Sequence, residues 1–199
     1  MQNTNSNRDS DVTGVILAGG NSSRMGQDKA TLKLEGISLF ERTLQTFQDL
    51  FRDILIAGDR PDLARPGVPA IADIYPGSAL GGLYTGLFSA KTPWIFVAAC
   101  DMPYPNQALI RDILARRDGY DVVVPCTPDG FEPLFACYHK NCLEAIRSML
   151  QAGQYCVYDF YPQVRVCHLL EEELPYRWNR SLRNVNTPED FKALEEKPS

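Results

Sequence analysis

Short apolar runs alternate along the chain with stretches in which apolar positions recur every three or four residues, and the two patterns predict different elements. Val12 to Leu17 predicts a buried strand. Leu39, Phe40, Thr43, Leu44, Phe47, Leu50 and Phe51 fall at helical spacing behind Ser38 and Glu41, a capping box that marks the helix start. Strands follow at Asp53 to Ala57 and Pro69 to Asp73. Small residues with Leu83, Leu87 and Phe88 then predict a helix over Leu80 to Ala90, packed closely through Gly81 and Gly82. Trp94 to Cys100 is apolar throughout, as a strand covered on both faces must be, and it stops at Asp101. Asn106 caps a helix carrying Leu109, Ile110, Ile113 and Leu114. Asp121 to Pro125 and Glu132 to Tyr138 read as a hairpin, and Leu143, Ile146, Met149 and Leu150 mark a further helix. Between Gln154 and Trp178 only Val164 to Leu169 carries a strand signal. A last helix starts at Thr187 and Pro188, with Glu189 and Asp190 suited to its dipole.

Strands alternating with helices imply an α/β fold: one three-layer domain, residues 13–199, with a mostly parallel, Rossmann-like sheet covered on both faces. Residues 1–12 are polar and read as a disordered tail. Ligands of such sheets bind beyond the carboxyl ends of the strands. That rule puts the segment after Leu17, together with Asp73 and Asp101, on one rim.

The segment after the first strand, LAGGNSSRMGQDK from Leu17 to Lys29, holds the densest chemistry. Gly19, Gly20 and Gly26 free the backbone to present amide groups as a nest for an anion. Arg24 and Lys29 add a forked and a point positive charge, a combination suited to a polyphosphate. The spacing is neither GxGxxG nor the GK[ST] ending of nucleotide hydrolases. Asp101 stands opposite as a single carboxylate. One is enough for Mg2+, which keeps several waters and takes other ligands from substrate phosphates.

Composition narrows the partners. The 199 residues are 44% hydrophobic, enough for one core, and the net charge of -5 argues against nucleic acid or an anionic membrane as a partner. No apolar run approaches the roughly 20 residues that span a bilayer, and the N-terminus lacks the apolar segment of a secretory signal. Six scattered cysteines without a CxxC pair read as reduced thiols in a cytoplasmic protein. Cys137, His139 and Cys142 fall short of a zinc set. With only His139 and His168, no nucleophile constellation is recognisable.

The pattern LAGGxSxRMGxDK resembles the nucleotidyltransferase superfamily and within it most closely the molybdenum cofactor guanylyltransferases, a likeness that extends from Thr13 to about Leu194. It implies a domain of the nucleotide-diphospho-sugar transferase type that transfers GMP from GTP to the phosphate of molybdopterin and releases pyrophosphate. It also implies nucleotide binding by Leu17, Ala18, Gly19, Gly20, Lys29, Asp73 and Asp101, Mg2+ on Asp101, and catalysis by Arg24, Lys29 and Asp101. Asn184 and Asn186 match positions at the acceptor side. Delivery to molybdoenzymes fits such a product, although no segment identifies a partner.

Two departures from the family stand out. Ala57 occupies a position where relatives often carry a nucleotide-binding asparagine, with Asp59 a neighbour able to take its place. Ser78 and Ala79 alter the GPLxG segment. Two other readings therefore stay open: a relative using CTP or a sugar or polyol phosphate, and a GTP-binding relative without turnover.

Overall fold

In a computed structural model, which describes residues 8–19, 28–174, 178–185 and 187–195, the predicted alternation builds one mixed sheet between two helical layers. The elements are β1 (Asp9–Leu17), β2 (Lys33–Leu34), β3 (Ile37–Ser38), α1 (Leu39–Leu50), β4 (Phe51–Ala57), β5 (Ala70–Ile71), α2 (Ala79–Ser89) and β6 (Trp94–Ala99). They continue with α3 (Gln107–Ala115), β7 (Val122–Thr127), β8 (Gly130–Phe131), β9 (Phe135–His139), α4 (Leu143–Gln151), β10 (Val166–Leu170), α5 (Trp178–Ser181) and α6 (Pro188–Glu195). The main sheet runs β10-β7-β9-β6-β1-β4-β5, with β8 paired to β7 and β2-β3 forming a separate hairpin.

The middle of the sheet is parallel: β1 pairs with β4 and with β6, and Leu17 lies level with both Ala57 and Ala99. Three strand ends thus meet at one point of the rim. β9 is antiparallel to β6 and to β7 and sits between them, so the hairpin expected at 121–138 forms, with the short β8 added on β7, and meets β6 through its second arm.

Alternation along the strands divides the core. Val12, Ile16, Phe96 and Phe135 pack with α1 and α3, while Val15, Leu17, Val97 and Tyr138 pack with α2 and α4. The close approach of α2 comes from its glycines: a Cβ on Gly81 would lie 1.8 Å from the Tyr75 carbonyl oxygen, and one on Gly82 would lie 3.2 Å from Leu17 Cδ2. Ser38 and Glu41 form the expected capping box, and the Asn106 side chain accepts from the backbone of Ala108 and Leu109.

Several boundaries differ from expectation. β1 begins at Asp9, inside the stretch read as a tail, where Asp9 accepts a hydrogen bond from Arg117 at 2.8 Å. Phe51 leaves α1 for β4 without an intervening turn, because its ring packs against Phe47 and Phe96 from an extended backbone as well as it would from a helix. The strand expected at 69–73 shrinks to Ala70–Ile71, a half-buried sheet edge. No described helix is long and apolar enough to cross a membrane.

The weakly patterned region after Gln154 is pinned by polar bonds. Buried Asp121 accepts from the backbone N–H, Nε and Nη2 of Arg165 and from Asn141 Nδ2, at 2.7 to 3.1 Å. Arg165 foremost, and then Asn141, hold the Asp121 carboxyl well below the usual carboxylate range. A depressed carboxylate contributes stability above its unfolded pKa and loses it as pH falls through the folded value. Asp121→Ala is expected to cost about 2 kcal/mol at pH 7, since it strands buried donors, and thermal melts should show the gap to wild type closing below pH 4.

Candidate active site

The rim where β1, β4 and β6 end opens into a cleft lined by Leu17, Ala18, Gly19, Lys29, Asp73 and Asp101, six of the residues singled out in the sequence. Backbone bonds lock the strand exits together: Ala18 N–H donates to Ala57 O at 3.0 Å, and Cys100 N–H donates to Leu17 O at 3.1 Å. Gly58, at φ 136°, lies so close to Gly19 that a Cβ there would be 2.7 Å from the Gly19 nitrogen. A Cβ on Gly19 would lie 2.8 Å from Asp73 Oδ2, so a side chain there would displace that carboxylate.

Asp73 follows the edge strand β5 by two residues and faces α2 across the cleft floor. Its Oδ1 is buried and accepts no hydrogen bond among the described residues. The nearby Thr85 hydroxyl donates instead to Gly81 O and accepts from Ile74 N–H. Burial pushes the Asp73 carboxyl up, with Thr85 opposing in part. An unsatisfied carboxylate oxygen is costly; Oδ1 is closed off from solvent, and the residue borders the cleft through the rest of its carboxylate.

On the other side of the cleft, Lys29 Nζ donates to Asp101 Oδ2 at 3.0 Å, with the two side chains 18% and 19% exposed. Lys29 opens a single 3₁₀ turn capped by Asp28, whose Oδ1 accepts from Ala30 N–H. Asp28 is also bound by both terminal nitrogens of Arg60. Behind Asp101, its backbone carbonyl accepts from Val185 N–H at 3.0 Å, which brings the C-terminal segment to the site. Asn184, beside that contact, has a buried Oδ1 without a partner among the described residues. Gly20, Arg24, Gly26 and Asn186 lie outside the described residues.

The departures from the family pattern also meet here. Ala57 lines the cleft, Asp59 is exposed and does not, and Ser78 and Ala79 line it at the start of α2. Ser78 keeps the helix start intact, its hydroxyl accepting from Gly81 N–H at 3.0 Å. Sequence reasoning missed Arg60, which sat in a segment read only as a turn, and Leu134, which closes the cleft from the β8-β9 connection. On that connection burial, reinforced by Asp129, pushes the Glu132 carboxyl up to about 7. Cys100 also lines the cleft, but burial pushes its thiol up to about 12 and keeps it protonated, so it is no nucleophile at neutral pH.

At one rim of the parallel strands Gly19, Lys29, Asp73 and Asp101 line a single cleft, the placement a nucleotide site takes in an α/β fold of the nucleotidyltransferase class. Comparison with known proteins agrees and goes further. The chain belongs to the family described as MobA-like NTP transferase domain, which matches residues 14–165. A Pelotomaculum thermopropionicum protein named "probable molybdenum cofactor guanylyltransferase" is 38% identical over 184 residues, covering 90% of each chain. A Desulfosudis oleivorans molybdenum cofactor guanylyltransferase is 35% identical, covering 92% of this chain and 94% of its own. Among solved structures, the molybdopterin-guanine dinucleotide biosynthesis protein A of Archaeoglobus fulgidus shares the fold at a TM-score of 0.80 and 22% identity, covering 92% of this chain and 97% of that one. A cytidylyltransferase of Thermus thermophilus that acts on 2-C-methyl-D-erythritol 4-phosphate shares it at 0.66 and 17%, covering 92% and 96%, so the fold alone does not choose the base.

Proposed function

We propose that this protein transfers GMP from GTP to the phosphate of molybdopterin, releasing pyrophosphate and forming the guanine dinucleotide cofactor. The observation that carries this reading is the gathering of Asp73, Lys29 and Asp101 in one cleft. Guanine presents N1–H and a 2-amino group side by side, two donors that match the two oxygens of a carboxylate. Cytosine presents one donor beside two acceptors and would leave Asp73 facing lone pairs. The names of the relatives favour the same base and acceptor.

In this reading an oxygen of the acceptor phosphate attacks the α-phosphorus of GTP in line, a new P–O bond forming as the bond to the β-phosphate bridge breaks. A phosphate monoester has its second pKa near 6, so the attacking group is already largely a dianion at pH 7 and needs no general base. The chain's task is then to position two anions and to offset charge on the departing pyrophosphate. Lys29 supplies a positive charge beside Asp101, Arg24 a second, and the amides of the glycine segment neutral donors. Asn184 and Asn186 border the acceptor.

The donor set fits a magnesium ion: Asp101 is one partly exposed hard oxygen ligand, of the kind such an ion takes alongside phosphates and water. Asp101 would hold it, and when bound it would neutralise charge across the phosphates. The six free cysteines favour a cytoplasmic setting, and hand-over to molybdoenzymes is the expected fate of the product.

The test is incubation of the purified protein with molybdopterin, Mg2+ and each nucleoside triphosphate in turn, reading pyrophosphate and dinucleotide. GTP alone should support turnover. Activity with CTP and none with GTP would overturn the assignment, and tight GTP binding without turnover would point to a regulator.

A further inference from the structure

Five charges of alternating sign form a chain that ends in the cleft, where Asp28, Lys29 and Asp101 line it. Asp62 holds one edge of the Arg60 guanidinium, accepting from Nε at 2.9 Å and from Nη2 at 2.8 Å. The other edge grips Asp28, with Nη1 donating to Oδ1 at 3.0 Å and Nη2 to Oδ2. Asp28 in turn fixes the turn that carries Lys29, through Oδ1 to Ala30 N–H at 3.2 Å and through its carbonyl to Thr31 N–H and Oγ1. Lys29 ends the series on Asp101. The Arg60 side chain is only 19% exposed, and its two carboxylate partners raise its affinity for its proton, so it remains a fixed cation.

We infer that Arg60 is a positioning residue that sets the Lys29 ammonium for the triphosphate by clamping Asp28, and that it does not itself bind phosphate. Both faces of its fork are already taken by carboxylates, so it has little left to offer a ligand. Its hold matters at two levels. Arg60 anchors Asp28, the residue on whose hydrogen bonds the Lys29 turn is built, across the cleft from Gly19 and its close neighbours Gly58 and Asp73. Asp28 also lines the cleft, where an uncompensated carboxylate would repel a polyphosphate; the guanidinium offsets that charge.

The inference rests on the nucleotide reading of the cleft, and a double-mutant cycle in equilibrium binding of GTP with Mg2+ separates the two. Lys29→Met and Arg60→Met should each weaken binding by about tenfold, and the double variant should bind within about twofold of Lys29→Met alone, because a clamp has nothing to position once the ammonium is gone. Arg60→Lys, which keeps the charge but loses the two-edged fork, should recover less than half of the loss on a logarithmic scale. Thermal melts of all variants identify global unfolding. Penalties that multiply to about a hundredfold in the double variant would overturn the clamp while leaving the nucleotide reading intact. Absence of GTP binding by the wild type would overturn both.

Discussion

Asp101→Asn is expected to lower the rate of pyrophosphate release by at least about a thousandfold while leaving the protein folded. The substitution keeps size and hydrogen-bonding reach, and removes the anionic oxygen that pairs with Lys29 and that the proposed function assigns to the cation. Loss of a single preorganised charge-stabilising contact costs about 3 kcal/mol, a hundredfold or more, and removing the seat of the metal adds the several kcal/mol that a metal ion supplies to developing phosphate charge. Stability should change by no more than about 1 kcal/mol, because the side chain's described partner is one partly exposed lysine. The contact that docks the C-terminal segment uses the Asp101 backbone carbonyl, which asparagine retains. Raising Mg2+ should not restore the rate. Near-wild-type turnover would remove Asp101 from the chemistry, and a melting temperature many degrees lower would assign it a structural role instead.

The sequence makes Asp101 stand out because local rules and one topological rule act together there. An apolar strand ending abruptly in an acid is visible in one dimension, as are the caps at Ser38 and Asn106, since each depends on residues within three positions of one another. The rule that parallel strands end on one rim then joins Leu17, Asp73 and Asp101 across more than eighty positions. What stays hidden depends on partners that no local pattern encodes. Apolar Phe135 to Tyr138 suits any buried strand, so nothing in it announces that β9 runs antiparallel between β6 and β7. The four residues of α5 complete barely one turn, too short for a periodicity to register. Arg60 reaches Asp28 over 32 positions, and in the sequence it is one more polar residue in a GDRPD turn. Only the three-dimensional fold brings its guanidinium onto Asp28, which lines the cleft.

Asp73→Asn should separate base recognition from folding, because it moves activity and stability in opposite directions. In the wild type Asp73 lines the cleft with one oxygen buried and unpartnered among the described residues, and burial raises its pKa above the unfolded value. For such a group the favourable contribution is complete below the unfolded pKa and is lost as pH rises through the folded one. At pH 7.5 the free enzyme therefore bears the cost of an ionised, desolvated acid, and asparagine removes it. The variant should melt at a higher temperature than wild type at pH 7.5, with the difference vanishing near pH 3. Binding should suffer in exchange, since an amide offers one acceptor and one donor where guanine presents two donors, setting N–H against N–H. A site built to hydrogen-bond a polar group and then deprived of the match loses discrimination on the scale of several powers of ten, and here kcat/KM for GTP should fall by about a hundredfold or more. Inosine triphosphate, which lacks the 2-amino donor, gives the decisive comparison. Wild type should prefer GTP over it by about tenfold or more, and the preference should collapse in Asp73→Asn. An unchanged preference would place the base elsewhere in the cleft, whereas a fall in both melting temperature and turnover would make Asp73 a structural acid.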